Sequence, residues 1–148
     1  MSRITALLAA FTLLFVSTCI DVAAQDSTNA ITGWKVESRK AGEGVYELQF
    51  NLPSTSKWQV YAPNQVLLDI KTTELQFADS AVQQQGQFML DAAPQQVSSP
   101  IFENTKIAIY EGAVSWKAVI RISGTVPAKL QGTLLYTYGR NSEFYPST

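Results

Sequence analysis

The sequence predicts an all-β protein, an immunoglobulin-like antiparallel β-sandwich of about seven or eight strands. Three observations support this fold class. Apolar and polar residues alternate over most of residues 25–148, as they do when successive side chains of a strand point to opposite faces of a sheet. Short segments rich in glycine, proline or serine separate the alternating runs at 42–44, 53–56 and 124–128. No segment in this region shows the helical period of about 3.6 residues.

The clearest strand is VSWKAVIRIS, residues 114–123. Every second residue from Val114 to Ile122 is apolar, whereas Lys117 and Arg121 fall on the opposite face. The apolar face is expected to pack into the core, so the pattern predicts that Trp116 is buried.

The remaining strands are predicted from the same alternation. They are expected near 34–37, 46–51, 57–60, 66–70, 74–77, 106–110 and 130–138. Residues 78–103 are rich in glutamine, alanine, serine and proline. This segment is predicted to be irregular, with one short strand around 88–90.

The first 24 residues have the anatomy of a secretory signal peptide. Arg3 precedes an apolar run at 6–20, and Val22 and Ala24 are the small residues of a cleavage site before Gln25. Two alternatives remain open, namely an uncleaved anchor and a lipoprotein acylated at Cys19. The predicted product is a single domain, 25–148, located in the periplasm or secreted, with no transmembrane segment of its own.

Composition excludes several kinds of site. The chain has no histidine, and its single cysteine is Cys19, so a Ser-His-Asp triad and a histidine-ligated zinc are excluded. Thiol catalysis is excluded once the signal peptide is removed. The net charge of −1 without a basic stripe indicates no nucleic-acid partner. The acidic residues are scattered, and we expect neither a metal nor a cofactor. The S-x-x-K at 54–57 follows a proline and is interpreted as a polar turn.

Aromatic residues are the remaining candidates for a site. The three tryptophans, Trp34, Trp58 and Trp116, are in phase with apolar strand faces, which favours core packing over a sugar-stacking platform. Tyr61, Phe102 and Tyr145 fall out of phase or in loops. We therefore expect some of these three to be exposed.

Three segments resemble a known family. They are YELQFNLPSTSKWQVYAPNQ at 46–65, IFENTKIAIYEGAVSWKAVIRI at 101–122 and LQGTLLYTYGRNSEFYPST at 130–148. Together they resemble the amino-terminal periplasmic domain of the thiol-disulfide interchange protein DsbD, also described as a disulfide bond corrector domain. The resemblance covers most of residues 25–148.

The resemblance implies where the family's redox cysteines would fall. The family ends in Cys-loop-Cys-Tyr-Pro-Pro, which places the first cysteine at Gly139, or at Tyr138 if the loop is one residue longer. The second falls at Phe144, directly before Tyr145 and Pro146. Both cysteines are missing from this chain, so no disulfide exchange is expected. Gly139 and Phe144 are expected to lie close together, and replacing both by cysteine is expected to form a disulfide.

The loop with Phe102 resembles the cap that shields the family's cysteines. Without cysteines to shield, the loop either packs against the fold, which is the default, or serves as a partner-binding surface. In the second case the binding residues are Phe102, Tyr110, Tyr145, Pro146 and Tyr61. The implied partner is an unidentified extracytoplasmic protein, for which a thioredoxin-like protein is one candidate.

Three hypotheses for function follow. The first is a redox-inactive binding or adaptor module related to thiol-disulfide interchange and cytochrome c biogenesis. The second is a β-sandwich that binds carbohydrate or another small ligand through exposed aromatic residues. The third is an enzyme that uses scattered carboxylates, and it is disfavoured because no positioned acid or base is visible.

Overall fold

The computed structural model describes residues 31–146. The predicted signal peptide, Cys19, Ser147 and Thr148 lie outside the described residues. The described chain is built from antiparallel strands and one short 3₁₀ turn, which confirms the predicted all-β, sandwich-like class. No helix within residues 31–146 is long and apolar enough to cross a bilayer.

The strands of the described chain have the following bounds: β1 Lys35–Gly42, β2 Val45–Leu52, β3 Gln59–Tyr61, β4 Val66–Leu67, β5 Ile70–Lys71, β6 Thr73–Phe77, β7 Val82–Leu90, β8 Gln95–Ser99, β9 Thr105–Tyr110, β10 Val114–Ile122, β11 Gly132–Tyr136, β12 Tyr138–Arg140 and β13 Glu143–Tyr145. The 3₁₀ turn spans Pro100–Phe102.

Two larger sheets form the layers of the sandwich. One has the strand order β1-β2-β10-β7, and the other has the order β13-β12-β3-β9-β8. The pairs β11-β6 and β4-β5 form two smaller sheets. Every strand pair in these sheets is antiparallel.

The main core contains the apolar face of β10 and the inward side chains of both larger sheets. Trp116 is fully buried, as predicted. It lies 5.1 Å from Trp34 and 6.3 Å from Phe88 between ring centroids. The other buried members include Leu48, Phe50, Leu52, Val60, Ala62, Val82, Ala108, Tyr110, Val114, Ala118, Ile120, Ile122, Leu134 and Tyr138.

A second cluster lies on the opposite face of the five-stranded sheet, and we call it the outer core. It consists of Tyr61, Phe102, Ile107 and Ile109, all buried. Strands β3 and β9 are consequently buried on both faces. Along β3, for example, neighbouring Val60 and Tyr61 belong to different clusters. The out-of-phase position of Tyr61 in the sequence reflects this second cluster.

Three details of the predicted strands are wrong. The segment 78–103 contains the predicted short strand near 88–90 as the end of β7, but it is otherwise not irregular, since it forms the rest of β7, β8 and the 3₁₀ turn. The alternation in these glutamine-rich strands is hidden because much of their surface faces solvent. The predicted strand 66–70 is a hairpin, since Leu68 and Asp69 adopt positive φ and reverse the chain. The predicted strand 130–138 breaks at buried Thr137, so that β11 and β12 join different sheets. These breaks help to raise the number of strands in residues 31–146 to thirteen.

Two adjacent side chains join the larger sheets, and we call Asn64 and Gln65 the carboxamide pair. The Asn64 side chain donates to the Phe88 carbonyl at 2.9 Å and accepts from the Phe88 N–H at 3.0 Å. The Gln65 side chain does the same with Ala108, at 2.8 Å and 2.9 Å. Phe88 belongs to β7 and Ala108 to β9, so the pair holds backbone groups of both layers.

We predict that Gln65→Ala destabilises the protein by about 1–3 kcal/mol. The substitution leaves the Ala108 N–H without its acceptor. It also removes one of the two donors to each of the Ala108 and Ala62 carbonyls, which keep the Ala62 N–H and the Thr72 hydroxyl, respectively. Polar groups that lose their partners away from water carry a desolvation cost of about 1–3 kcal/mol. Denaturant unfolding measures the change.

The matched control is Gln59→Ala. Among residues 31–146, the Gln59 carboxamide bonds to the exposed Glu111 side chain alone, at 2.9 Å, so its loss is expected to cost within about 0.5 kcal/mol. Equal losses in the two variants would contradict a special role for Gln65.

Candidate functional site

The end of the described chain forms a hairpin, which we call the terminal hairpin. Strands β12 and β13 pair in the order Tyr138 with Tyr145, Gly139 with Phe144 and Arg140 with Glu143. Asn141 adopts a φ of 51° in the connecting turn, a conformation that asparagine tolerates better than most residues. The residues onto which the family's cysteines were placed, Gly139 and Phe144, are therefore direct neighbours across the hairpin.

The outward face of the terminal hairpin is packed against the outer core. The Phe144 ring lies 5.1 Å from the Phe102 ring and 5.6 Å from the Tyr61 ring. Phe102 is the last residue of the 3₁₀ turn, and its ring centroid lies 6.3 Å from that of Tyr61. The structure thus brings Phe102, Tyr61 and Phe144 together in one aromatic cluster.

Gly139 has no room for a side chain. A Cβ atom built on it would overlap the carbonyl oxygen of Glu143 and lie 3.3 Å from the Tyr61 hydroxyl. A cysteine at this position therefore requires the backbone of the hairpin to move. The expected disulfide between substituted positions 139 and 144 does not fit the hairpin as it stands, although the two residues are paired.

The inward face of the terminal hairpin carries a second cluster, which we call the aromatic patch: Trp58, Tyr138, Arg140 and Tyr145. The Tyr138 and Tyr145 rings stack at 5.1 Å, and both meet the Trp58 ring edge to face, at 5.3 Å and 5.6 Å. The Arg140 guanidinium lies 4.2 Å above the Trp58 ring, within range of a cation–π interaction. Arg140 also pairs with Glu143 at 3.1 Å.

Burial separates the proposed binding residues into two groups. Tyr145 is 43 % exposed, and Pro146 is exposed as well. The expectation that some of Tyr61, Phe102 and Tyr145 are exposed is therefore met by Tyr145 alone, whereas Tyr61 and Phe102 pack in the outer core and are 2 % and 6 % exposed. Burial raises the pKa of the Tyr61 phenol.

Tyr110 does not join this group. It points into the main core from β9, on the opposite face from the outer core, and its hydroxyl donates to the Ala92 carbonyl at 2.8 Å. Burial, with a smaller effect from the Asp91 charge, raises the pKa of its phenol. As a buried residue of the main core, Tyr110 is not available to a surface partner.

Sequence reasoning did not select Trp58 and Arg140 as binding residues. Trp58 was assigned to the core from its phase, but it is only half-buried and packs at the core's edge. Arg140 carried no periodic signal at all. The two residues are far apart in sequence and meet only because β12 pairs with β3.

Acidic groups form no metal-binding cluster in the described chain. Residues 31–146 contain no group of three or more histidine, cysteine, aspartate or glutamate side chains suited to a metal. Asp91 has a specific environment, in which Ser115 and Gln49 donate to its carboxylate and Lys117 lies 3.6 Å away. The pKa of the Asp91 carboxyl is held below its ordinary value. The hydrogen bond from Ser115 has the largest effect, followed by the hydrogen bond from Gln49. A carboxylate stabilised as the anion is a poor general acid.

Comparisons of the chain with family models, with curated proteins and with solved structures find no match.

We predict that Asp91 makes stability depend on pH in the acidic range. Its pKa is lower in the folded than in the unfolded protein. Its stabilising contribution is therefore complete above the unfolded pKa and is lost as pH falls through the folded pKa. Denaturant midpoints measured from about pH 6 to about pH 2 should fall less steeply for Asp91→Asn than for the unmodified protein. Ser115→Ala should lie between the two, and identical curves would contradict the assignment.

We also predict that Gly139→Ala destabilises the protein by about 1–3 kcal/mol, the usual cost of overpacking. The added methyl group meets the Glu143 carbonyl, which belongs to the backbone and yields little. Gly42→Ala is the matched control, because a Cβ there has ordinary contacts, the nearest at 3.7 Å from Val45. The difference between the two unfolding free energies is the measurement, and no difference would show that the hairpin accommodates a side chain.

Proposed function

We propose that this chain is a redox-inactive extracytoplasmic binding module that recognises a protein partner through the aromatic patch. The observation that carries the proposal is the contact of Trp58 with two residues of the terminal hairpin, Arg140 and the exposed Tyr145. Tryptophan, tyrosine and arginine dominate the binding energy of protein interfaces. The extracytoplasmic location follows from the signal peptide predicted from the sequence.

The rigidity of the aromatic patch supports recognition of a preformed partner. Tyr145 is held by Tyr138 and Trp58, while Arg140 is held by Trp58 and Glu143. Side chains fixed before binding lose little conformational freedom on association. The patch therefore provides anchor residues at low entropic cost.

The terminal hairpin also supports a thioredoxin-like protein as the partner. Gly139 and Phe144 are paired beside Phe102, which is the placement implied by the resemblance to the DsbD family. Because the single cysteine of the chain is Cys19, a mature protein without the signal peptide has no thiolate to attack a disulfide. The interaction with such a partner is then non-covalent.

Carbohydrate binding is the alternative, and the partial exposure of Trp58 and Tyr145 favours it. Sugar rings stack on an open aromatic face. The Trp58 face already carries the Arg140 guanidinium, so a sugar would have to displace that contact. The geometry supports a protein partner better.

Binding to exported thioredoxin-fold proteins of the source organism, measured by calorimetry with the purified protein, tests the proposal. Tyr145→Ala and Arg140→Ala should each weaken binding by about tenfold or more, which corresponds to about 1.4 kcal/mol. Val126→Ala is the matched control, since Val126 has the same exposed fraction as Tyr145, and it should leave the affinity unchanged.

Two results would overturn the proposal. One is binding that is equally strong in the control and in both patch variants while all remain folded by circular dichroism. The other is binding to a glycan array, lost in Tyr145→Ala, in a protein that binds no member of the thioredoxin-fold panel.

A further inference from the structure

The two larger sheets have four edge strands, and three of them carry features that hinder pairing with another chain. Strand β1 bears Lys35, Glu37, Arg39 and Lys40 on an exposed edge and ends in a bulge. Charged residues and bulges of this kind protect edges from pairing with another strand.

The edges at β7 and β13 are protected differently. Strand β7 contains Gly86 with a φ of 71°, and its register with β10 shifts between Lys117 and Val119. Strand β13 has only three residues and is followed by Pro146. Irregular or very short edges offer few consecutive backbone groups to a new strand.

The edge at β8 has neither charge nor irregularity. Its sequence is Gln-Gln-Val-Ser-Ser, Gln95–Ser99, and all five residues pair with β9 in unbroken register. Strand β8 is last in the order of its sheet. Alternate backbone groups along its free side consequently point away from β9. Pro94 and Pro100 flank the strand and limit the free edge to these five residues, because proline has no N–H to donate.

We propose that β8 pairs in antiparallel orientation with β8 of a second copy of this chain, centred on Val97. An antiparallel pair of identical strands is related by a two-fold axis, so the contact closes and forms a dimer rather than a fibre. The flanking prolines select the register. Centring on Val97 uses all five residues, whereas any other centre brings Pro94 or Pro100 into the pairing.

The side chains of β8 are compatible with this register. Gln95 lies opposite Ser99 of the second copy, Gln96 lies opposite Ser98, and the two Val97 side chains face each other across the axis. No like charges meet, in contrast to the destabilising pairs that charged strands create. Val97 is partly buried against the outer core, so the contact also covers the apolar surface that Val97 leaves exposed.

The expected dimer is weak. Five residues of strand pairing bury less surface than the roughly 800 Å² per partner of a standard stable interface. Association is therefore expected to be reversible and to depend on concentration. Because β8 and the aromatic patch lie at opposite edges of the five-stranded sheet, dimerisation does not depend on the proposed function.

A single introduced thiol tests the pairing. In a Cys19→Ser background the chain has no other cysteine, and Val97→Cys places one thiol of each copy beside the two-fold axis. Directly opposed residues of antiparallel strands have Cα atoms about 4.5–5.5 Å apart, within the range for a disulfide. Under mild oxidation we expect covalent dimer on the order of tenfold faster than for Ser38→Cys on the charged β1 edge. An excess of chain without cysteine should slow the reaction.

The register is tested by a mixture. Gln96→Cys and Ser98→Cys should form disulfide dimers with each other faster than either forms with itself, because the proposed centre places 96 opposite 98. Sedimentation of the unmodified protein should show dimer at high concentration, and Val97→Lys should remove it while leaving the fold intact. Equal oxidation rates for Val97→Cys and Ser38→Cys would overturn the proposal. A monomer at every concentration would overturn it too, and would leave the β8 edge to a strand from another protein.

Discussion

The two layers of the sandwich are held in register by the carboxamide pair. Asn64 and Gln65 each bind the backbone N–H and C=O of one residue, and these two residues, Phe88 and Ala108, belong to different sheets. Thr72 strengthens the same segment by donating to the Ala62 carbonyl at 2.7 Å. Apolar contacts between layers resist separation but tolerate sliding, whereas paired hydrogen bonds are directional. The relative position of the sheets, and with it the main core, depends on these bonds.

The position of the terminal hairpin depends in turn on β3. Strand β3 pairs with both β12 and β9. The turn before it is fixed at Thr55, whose N–H donates to the Gly112 carbonyl and whose hydroxyl accepts from the Gly112 N–H. Trp58 precedes β3 on the side of the aromatic patch, and Tyr61 ends it on the side of the outer core. One short strand therefore positions an aromatic residue under each face of the hairpin.

The sequence was informative where one face of a strand is buried and the other is exposed. Strand β10 alternates cleanly for that reason, and Trp116 was placed correctly. Strand β8 and residues 82–87 of β7 were missed because their side chains are mostly exposed and their pairing is carried by the backbone. The carboxamide pair left no periodic signal, and the contact of Arg140 with Trp58 depends on strand pairing over a long stretch of chain. The closeness of Gly139 and Phe144 was expected. The overlap of a Cβ at Gly139 with the Glu143 carbonyl was not, because it depends on local backbone packing that a pattern of residue types does not reveal.

Burial of β3 and β9 on both faces has a consequence for motion within the native state. A strand with one solvated face can separate locally by moving toward water, but β3 lies at the centre of its sheet with apolar contacts above and below it. Opening it exposes parts of two cores at once, so its amide protons are expected to exchange with solvent only through nearly global unfolding. The hairpin ends and the β8 edge are expected to open at lower free energy, since they lie at the margins of the sheet. The centre of the five-stranded sheet is thus expected to exchange slowly, and its two edges are expected to exchange faster.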